Sequence, residues 1–234
     1  MSLIPGLFIV SLAFSTILAQ NYILKVVEDV TLERGSTNFN YLPYLIVGTH
    51  PGYPLKRSLM RFQNIPAECI LPLEATLHIY FVYAHKASSV PSLPDVTRHI
   101  VAHTVLKSWS ESKATSTERG VGSGLKWERQ WLDLGKDAAN DAIYSTTVTA
   151  TPGGKWYTLD VTPQAQKWKS GGSNYGLLLR DTHEVIEGRD FRFASNAYSD
   201  QSKHAYITLK CQIQQQSIGG GPKISPIGGG ENPV

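Results

Sequence analysis

The chain has 234 residues, of which 41% are hydrophobic and 18% are charged, and its formal net charge is +3. Its 22 Lys and Arg residues are spread along the sequence, whereas nucleic-acid-binding proteins gather such residues in a patch or stripe. The composition therefore argues against a nucleic-acid partner. This length suffices for one large domain with its own hydrophobic core.

The N-terminus carries an uncharged apolar run at residues 6–18 (GLFIVSLAFSTIL). This run is shorter than the about 20 residues that a membrane-spanning helix needs. An apolar run of this length followed by a small residue is typical of a secretory signal peptide, so we predict cleavage between Ala19 and Gln20. A buried N-terminal strand or helix is the alternative. No other apolar stretch reaches spanning length, and the sequence predicts a secreted, extracellular protein without a membrane span.

Alternating apolar and polar side chains dominate the rest of the chain. Residues 75–83 (ATLHIYFVY) and 205–213 (AYITLKCQI) alternate as half-buried strands do, with Phe81, Tyr83 and Cys211 on their core faces. Further strands are predicted at residues 26–32, 42–47, 58–62, 100–106, 155–161, 175–180 and 190–195. Many short strands separated by Gly and Pro turns predict an all-β fold, a jelly-roll β-sandwich.

One short helix is predicted directly after the strand at 155–161. Thr162 is a suitable N-cap, and Pro163 fits the first helical position, where its missing N–H costs nothing. Val161, Ala165 and Trp168 have helical spacing and would form one apolar stripe.

The C-terminal residues differ in character from the rest of the chain. They contain no aromatic residue and no hydrophobic period, and Ile-Gly-Gly-Gly occurs twice. The sequence therefore predicts a disordered Gly-rich tail at 214–234, after a β-sandwich domain at 20–213 and a signal peptide at 1–19.

Cys69 and Cys211 are the two cysteines of the chain. In an oxidising extracellular compartment such a pair is more often bridged than free, so we predict a disulfide bond. Two buried thiols are the alternative.

No catalytic pattern stands out. The chain lacks a Gly-x-Ser-x-Gly nucleophile elbow, so we predict that it is not an enzyme and name no catalytic residue. No cofactor is predicted. Calcium binding remains a second interpretation of the acidic residues. Their spacing is not that of an EF-hand loop, and a solvated turn is the alternative. The candidate calcium ligands are Glu28, Asp29, Asp133, Asp137 and Asp141.

Exposed aromatic side chains are what a carbohydrate site needs, because their faces stack on sugar rings. Trp127, Trp131 and Tyr144 lie in a long insert between strands, where binding functions are commonly found, and they are the candidate ligand-binding residues. Packing inside the domain is the alternative for these three. Trp156 and Trp168 are predicted to belong to the core.

A series of short motifs runs from Val27 to Gln212, over nearly the whole predicted domain. The motifs are Asp29-Val30-Thr31, Asn38-Phe39-Asn40-Tyr41, Leu45-Ile46-Val47-Gly48, Arg57-Ser58-Leu59-Met60-Arg61-Phe62, Ile65-Pro66, Ala75-Thr76-Leu77, Ser108-Trp109-Ser110-Glu111, Asp160-Val161-Thr162, Trp168, Asn174-Tyr175-Gly176-Leu177 and Phe193-Ala194-Ser195-Asn196. Their order and spacing resemble the DNRLRE-type extracellular domain, which is grouped with carbohydrate-binding modules. Two segments depart from that family: Ala114-Thr115-Ser116 replaces a Thr-Trp pair, and Asn196 replaces an acidic residue.

The resemblance implies a jelly-roll sandwich with an adhesive, sugar-binding or matrix role and no reaction. We therefore expect a secreted structural or adhesive protein of an extracellular matrix, including the organic matrix of a mineralised skeleton. A carbohydrate-binding, lectin-like module is the alternative. The expected partners are extracellular matrix proteins or polysaccharides.

Overall fold

The computed structural model describes residues 16–50, 53–86, 97–120, 124–140, 144–150, 154–184 and 189–215. These residues form strands β1 (Thr16–Leu32), β2 (Tyr44–His50), β3 (Tyr53–Phe62), β4 (Leu71–Lys86), β5 (Thr97–Thr104), β6 (Tyr144–Thr149), β7 (Lys155–Asp160), β8 (Leu177–Asp181), β9 (Arg189–Ala194) and β10 (Tyr206–Gln215). Helix α1 spans Thr162–Lys169, and a 3₁₀ helix spans Gln201–Lys203. The predicted all-β fold with one short helix is confirmed.

The strands pair antiparallel in two sheets. The first sheet contains the N-terminal part of β1 and then β10, β4, β9 and β2, with β7 on the opposite side of β4 from β10. The second sheet contains the C-terminal part of β1 and then β3, β8, β5 and β6. β1 crosses between the sheets, because Lys25 pairs with Tyr206 of β10 whereas Val26 pairs with Phe62 of β3. β3 also joins the two sheets, because its first half pairs with β2 and its second half with β8. This arrangement is a β-sandwich.

The main hydrophobic core contains inward-facing side chains from both sheets. Its largest fully buried members are four rings from β3, β4 and β9: Phe62, Phe81, Phe191 and Phe193. The predicted alternation of β4 and β10 is confirmed up to Phe81. Tyr83 was expected on the same face as Phe81, but a β-bulge between them pairs Tyr83 with Arg192, which turns the tyrosine outward.

Helix α1 packs on β4 next to the core. Ala165 and Trp168 are buried in it, as the apolar stripe predicts. The helix begins at Thr162, and Val161 occupies the N-cap position that was expected for Thr162. The Thr162 hydroxyl instead accepts a hydrogen bond from the Ala75 N–H at 2.8 Å. Within the described ranges, no helix is both long and apolar enough to cross a membrane.

A second apolar cluster lies on the outer face of the second sheet. The segment between β5 and β6 folds over this face and buries Trp109, Trp127 and Leu132 against Leu59 and Leu178. The described part of this segment (residues 105–120 and 124–140) is named the insert layer below. The insert layer is a third layer on one side of the sandwich. It covers the apolar side chains that β3 and β8 carry on their outer faces in addition to those that face the main core.

The predicted disulfide bond is confirmed. Cys69 lies just before β4 and is bonded to Cys211 of β10, 142 residues further along the chain. Both cysteines are fully buried in the main core.

The predicted signal peptide and the predicted C-terminal tail each overlap a strand of the first sheet. The predicted cleavage site between Ala19 and Gln20 lies within β1, where residues 16–19 pair with 212–215, while residues 1–15 lie outside the described residues. Of the predicted tail, Gln214 and Gln215 belong to β10, and the rest lies outside the described residues. Signal cleavage and tail disorder therefore stay predictions.

The sequence analysis did not predict strand β6, although its sequence YSTTVT is rich in β-branched residues.

Candidate functional site

Four ring-bearing side chains lie together on the outer face of the first sheet, away from the core. His78 and Tyr80 come from β4, Trp156 from β7 and Tyr206 from β10. All four are half-buried, so part of each ring is open to solvent. This group is named the aromatic face below.

The rings of the aromatic face contact one another. The Trp156 ring lies edge-on to Tyr80, with centroids 5.2 Å apart, and edge-on to Tyr206 at 5.5 Å. The His78 ring stacks on Tyr206 at 4.5 Å with an interplanar angle of 8°. Edge-to-face and stacked pairs at these distances are mutually stabilising, so the rings hold one another in place.

Polar groups border the aromatic face. The Lys203 ammonium lies 4.7 Å from the centroid of the Tyr80 ring, a cation–π contact. A hydrogen bond of 3.0 Å joins His78 Nε2 to the Thr208 hydroxyl. Desolvation by burial lowers the pKa of His78, so its imidazole is neutral at pH 7. The face therefore offers ring surfaces beside hydrogen-bonding groups.

Strand alternation places these residues outward. Tyr80 follows the buried Ile79, and Trp156 pairs with Tyr80 across the β4–β7 ladder. β7 begins next to Gly154, whose φ is +68° and whose added Cβ would come within 2.4 Å of the Tyr80 hydroxyl, so any other residue there would be strained and would displace the Tyr80 ring. Trp156 was predicted to lie in the core. That prediction is wrong, because its neighbour Tyr157 takes the inward position.

The predicted ligand-binding aromatics of the insert occupy other places. Trp127 is only 4% exposed and donates a hydrogen bond from Nε1 to the Thr115 carbonyl at 2.9 Å, so its position is that of the packing alternative. Trp131 is partly buried against the same cluster. Tyr144 begins β6, and its side chain lies outside the described residues. The structure does not bring Trp127 and Trp131 onto the aromatic face.

The backbone at Trp131 is held in an unusual conformation. Trp131 and Leu132 have φ values of 63° and 70°, in the left-handed region that non-glycine residues rarely adopt. Arg57 donates hydrogen bonds from Nη1 to both of their carbonyls, at 2.7 and 3.1 Å, and pairs with both carboxylate oxygens of Glu184 at 2.7 Å. Arg57 therefore ties the insert layer to the second sheet.

Two of the candidate calcium ligands stabilise the insert layer. Asp137 is fully buried; its Oδ2 accepts hydrogen bonds from the Glu128 and Asp133 N–H groups at 2.8 Å, and its Oδ1 lies 3.1 Å from the Lys107 ammonium. Asp133 pairs with Arg129 at 3.3 Å. Asp141 lies outside the described residues. Protein groups thus already neutralise or hydrogen-bond both described carboxylates.

The other two candidate calcium ligands, Glu28 and Asp29, lie in the second half of β1. Glu28 pairs with Arg61 at 2.5 Å. Asp29 is 1% exposed and accepts a hydrogen bond from the Asn196 N–H at 2.7 Å, while the Asn196 amide donates to Glu111 at the same distance. The pKa of Asp29 is raised from 3.8 to about 7, chiefly because burial desolvates the carboxylate; the hydrogen bond from the Asn196 N–H lowers this pKa, and the nearby Glu111 carboxylate raises it.

The buried Asp29 predicts how stability depends on pH. Because folding raises this pKa, the folded chain binds more protons than the unfolded chain between about pH 4 and pH 7, and stability is lost as the pH rises through that window. We expect Asp29→Asn to remove this loss. Urea unfolding at about pH 4.5 and about pH 8 measures it, with Glu118→Gln as an exposed control. Equal losses in wild type and Asp29→Asn would contradict the prediction.

Within the described ranges, no three His, Cys, Asp or Glu side chains come together as a metal-binding group. None of the known protein-family models matches the chain, and no curated protein matches it either. The similarity to DNRLRE-type domains therefore stays a prediction from the motifs.

Proposed function

We propose that this chain is a secreted, non-catalytic adhesive protein that attaches to polysaccharide of an extracellular matrix through the aromatic face. The observation that carries the proposal is the exposed part of the Trp156, Tyr80 and Tyr206 rings on an open sheet face. Aromatic rings bind the apolar faces of sugar rings, and flanking polar side chains hydrogen-bond the hydroxyls.

The surroundings of the rings support a sugar ligand. Thr76, Thr158 and Thr208 lie on the same outer face, in register with His78 or its neighbours on the paired strands. Their hydroxyls both donate and accept hydrogen bonds, as sugar hydroxyls do. A purely apolar partner would remove water from these hydroxyls without offering them a hydrogen bond in return, at a cost in free energy.

The wider matrix role rests on the sequence. The predicted signal peptide, the Gly-rich tail and the resemblance to DNRLRE-type domains favour an extracellular setting. A structural matrix protein that contacts other proteins is the second candidate, favoured by that tail. The single confirmed disulfide agrees with an oxidising compartment.

A glycan array separates these two candidates, with calcium and with a chelator. We expect saturable binding to a polysaccharide, and we expect Trp156→Ala to weaken it by about tenfold or more, which corresponds to about 1.4 kcal/mol. The reason is that this substitution removes the largest ring of the face. Thr158→Arg, at an exposed position beside His78, should block the face without removing a ring.

Tyr41→Ala is the matched control. Tyr41 is 64% exposed and lies outside the aromatic face, so its loss should leave binding unchanged. Thermal unfolding of each variant shows that the domain is intact. Absence of binding to any glycan, or binding that survives both Trp156→Ala and Thr158→Arg, would contradict the proposal and favour the protein-contacting matrix role.

A further inference from the structure

Two grooves continue from the aromatic face across the first sheet. The first, of about 250 Å³, runs from Tyr206 past His204 and Lys25 to Ile23. The second, of about 450 Å³, runs from Ile23 past Thr208 to Thr76. Ile23 is 61% exposed and lines both grooves. The rings and the two grooves therefore form one continuous open surface.

The strand register fixes the length of this surface. Thr158, His78, Tyr206 and Lys25 form one row across β7, β4, β10 and β1. Trp156 lies one row to one side, and Ile23 lies one row to the other. Three strand spacings of about 4.8 Å and two rows of about 7 Å place the two ends about 20 Å apart.

A sugar chain of moderate length matches this distance. With C–C and C–O bonds near 1.5 Å, each pyranose unit advances a linear chain by roughly 5 Å, so about four units cover the surface. Along the route, hydrogen-bonding side chains alternate with ring or apolar surface at Tyr206 and Ile23. Neither groove is an enclosed cavity, so a chain can lie along both of them.

The charges on this surface balance. The strand register places Lys25, Lys210, Glu74 and Asp160 on it. Lys203 lies over the Tyr80 ring, and Asp200 accepts a hydrogen bond from Ser202, which lines the first groove. Among the described residues this gives three charges of each sign. Lys210 pairs with Glu74 at 3.3 Å. Hydrogen bonds from Ser202 lower the pKa of Asp200, and the Lys203 ammonium adds a smaller lowering. A polyanionic chain would therefore meet as much repulsion as attraction, whereas an uncharged chain meets neither.

We propose that the aromatic face and the two grooves form one extended site for a linear, uncharged polysaccharide. An internal stretch of about four sugar units would lie across β7, β4, β10 and β1, from Trp156 to Ile23. This inference rests on the proposed function and adds to it the length and the charge of the ligand. The outward positions of Trp156 and Ile23 at the two ends of the site carry it.

Isothermal titration with chains of different length tests the inference. The probes are β-1,4-linked glucose and N-acetylglucosamine chains from the disaccharide to the hexasaccharide, with alginate and heparin as anionic comparators. We expect affinity to rise by about tenfold or more from disaccharide to tetrasaccharide and then to level off, because further units lie beyond the site. The anionic chains should bind more weakly.

Ile23→Arg places a bulky side chain across both grooves at a position that is mostly exposed, so the fold should tolerate it. We expect it to lower tetrasaccharide affinity to that of the disaccharide while disaccharide affinity is unchanged. Val27→Arg, the same change at a position that is 45% exposed on the same strand and lines neither groove, is the matched control.

The outcomes are distinguishable. Affinity that does not depend on length, or an Ile23→Arg variant that binds tetrasaccharide like wild type, overturns the extended site while the aromatic face remains a sugar site. Binding of alginate or heparin that is stronger than binding of the uncharged chains overturns the inference that the ligand is uncharged. No binding of any probe, here and on the array, overturns the inference and the proposed function together.

Discussion

Replacing both cysteines by alanine should lower the free energy of unfolding by between about 2 and 5 kcal/mol. The bond between Cys69 and Cys211 closes a loop of 142 residues, so its loss restores much conformational freedom to the unfolded chain. In a domain of this size the loss corresponds to a fall in melting temperature of about 2–4 °C per kcal/mol. Calorimetry or circular dichroism without reductant measures it.

Reduction of the wild-type protein provides the control for the disulfide. Both sulfurs are fully buried, and alanine keeps the two sites apolar, so reduced wild type and the double variant should unfold at similar temperatures. A double variant as stable as the oxidised protein would show that the bond adds nothing to stability.

Asp190→Ala should lower the free energy of unfolding by about 3–5 kcal/mol. Asp190 is fully buried on β9, with the Lys56 ammonium at 3.2 Å and the Arg192 guanidinium at 3.1 Å. Lys56 is itself only 3% exposed, so truncation of the carboxylate leaves a buried ammonium without that charge partner. Urea unfolding at neutral pH measures the loss.

A surface ion pair supplies the matched control for Asp190. Glu74 pairs with Lys210 at 3.3 Å, but its side chain is 71% exposed, so Glu74→Ala should cost no more than about 1 kcal/mol. The difference between these variants measures what burial adds to the cost of removing a carboxylate. Equal losses in the two variants would show that Lys56 is stabilised without Asp190.

Residue alternation predicts only part of the aromatic face. With Phe81 on the core face, alternation in residues 75–83 leaves Thr76, His78 and Tyr80 on the opposite face, which is where the structure has them. It could not show which side of β7 faces outward, because Trp156 and Tyr157 are both aromatic and either could fill the core. Pairing of Trp156 with Tyr80 across β4 and β7 decided the matter.

The burial of Trp127 in the insert layer could not be predicted for a related reason. A tryptophan in a long segment between strands is equally suited to an exposed loop and to a covering layer. The sequence of β3 and β8 contains the relevant signal, because Leu59 and Leu178 are apolar on the face that would otherwise meet solvent. A sandwich strand with apolar side chains on both faces requires a layer on each side, and Trp127 belongs to that layer.

Sequence alone determined the all-β class, the inward position of Cys211 and the apolar stripe of α1. These features depend on the order of apolar and polar residues along the chain, which repeats every two residues in a strand and about every 3.6 in a helix. The tertiary structure decided what depends on contacts between distant segments. The bulge before Tyr83, the burial of Trp127, the pairing of Asp190 with Lys56 and the assembly of the aromatic face from three strands all have this origin. Residues 78, 156 and 206 are far apart along the chain, and only the strand register brings them together.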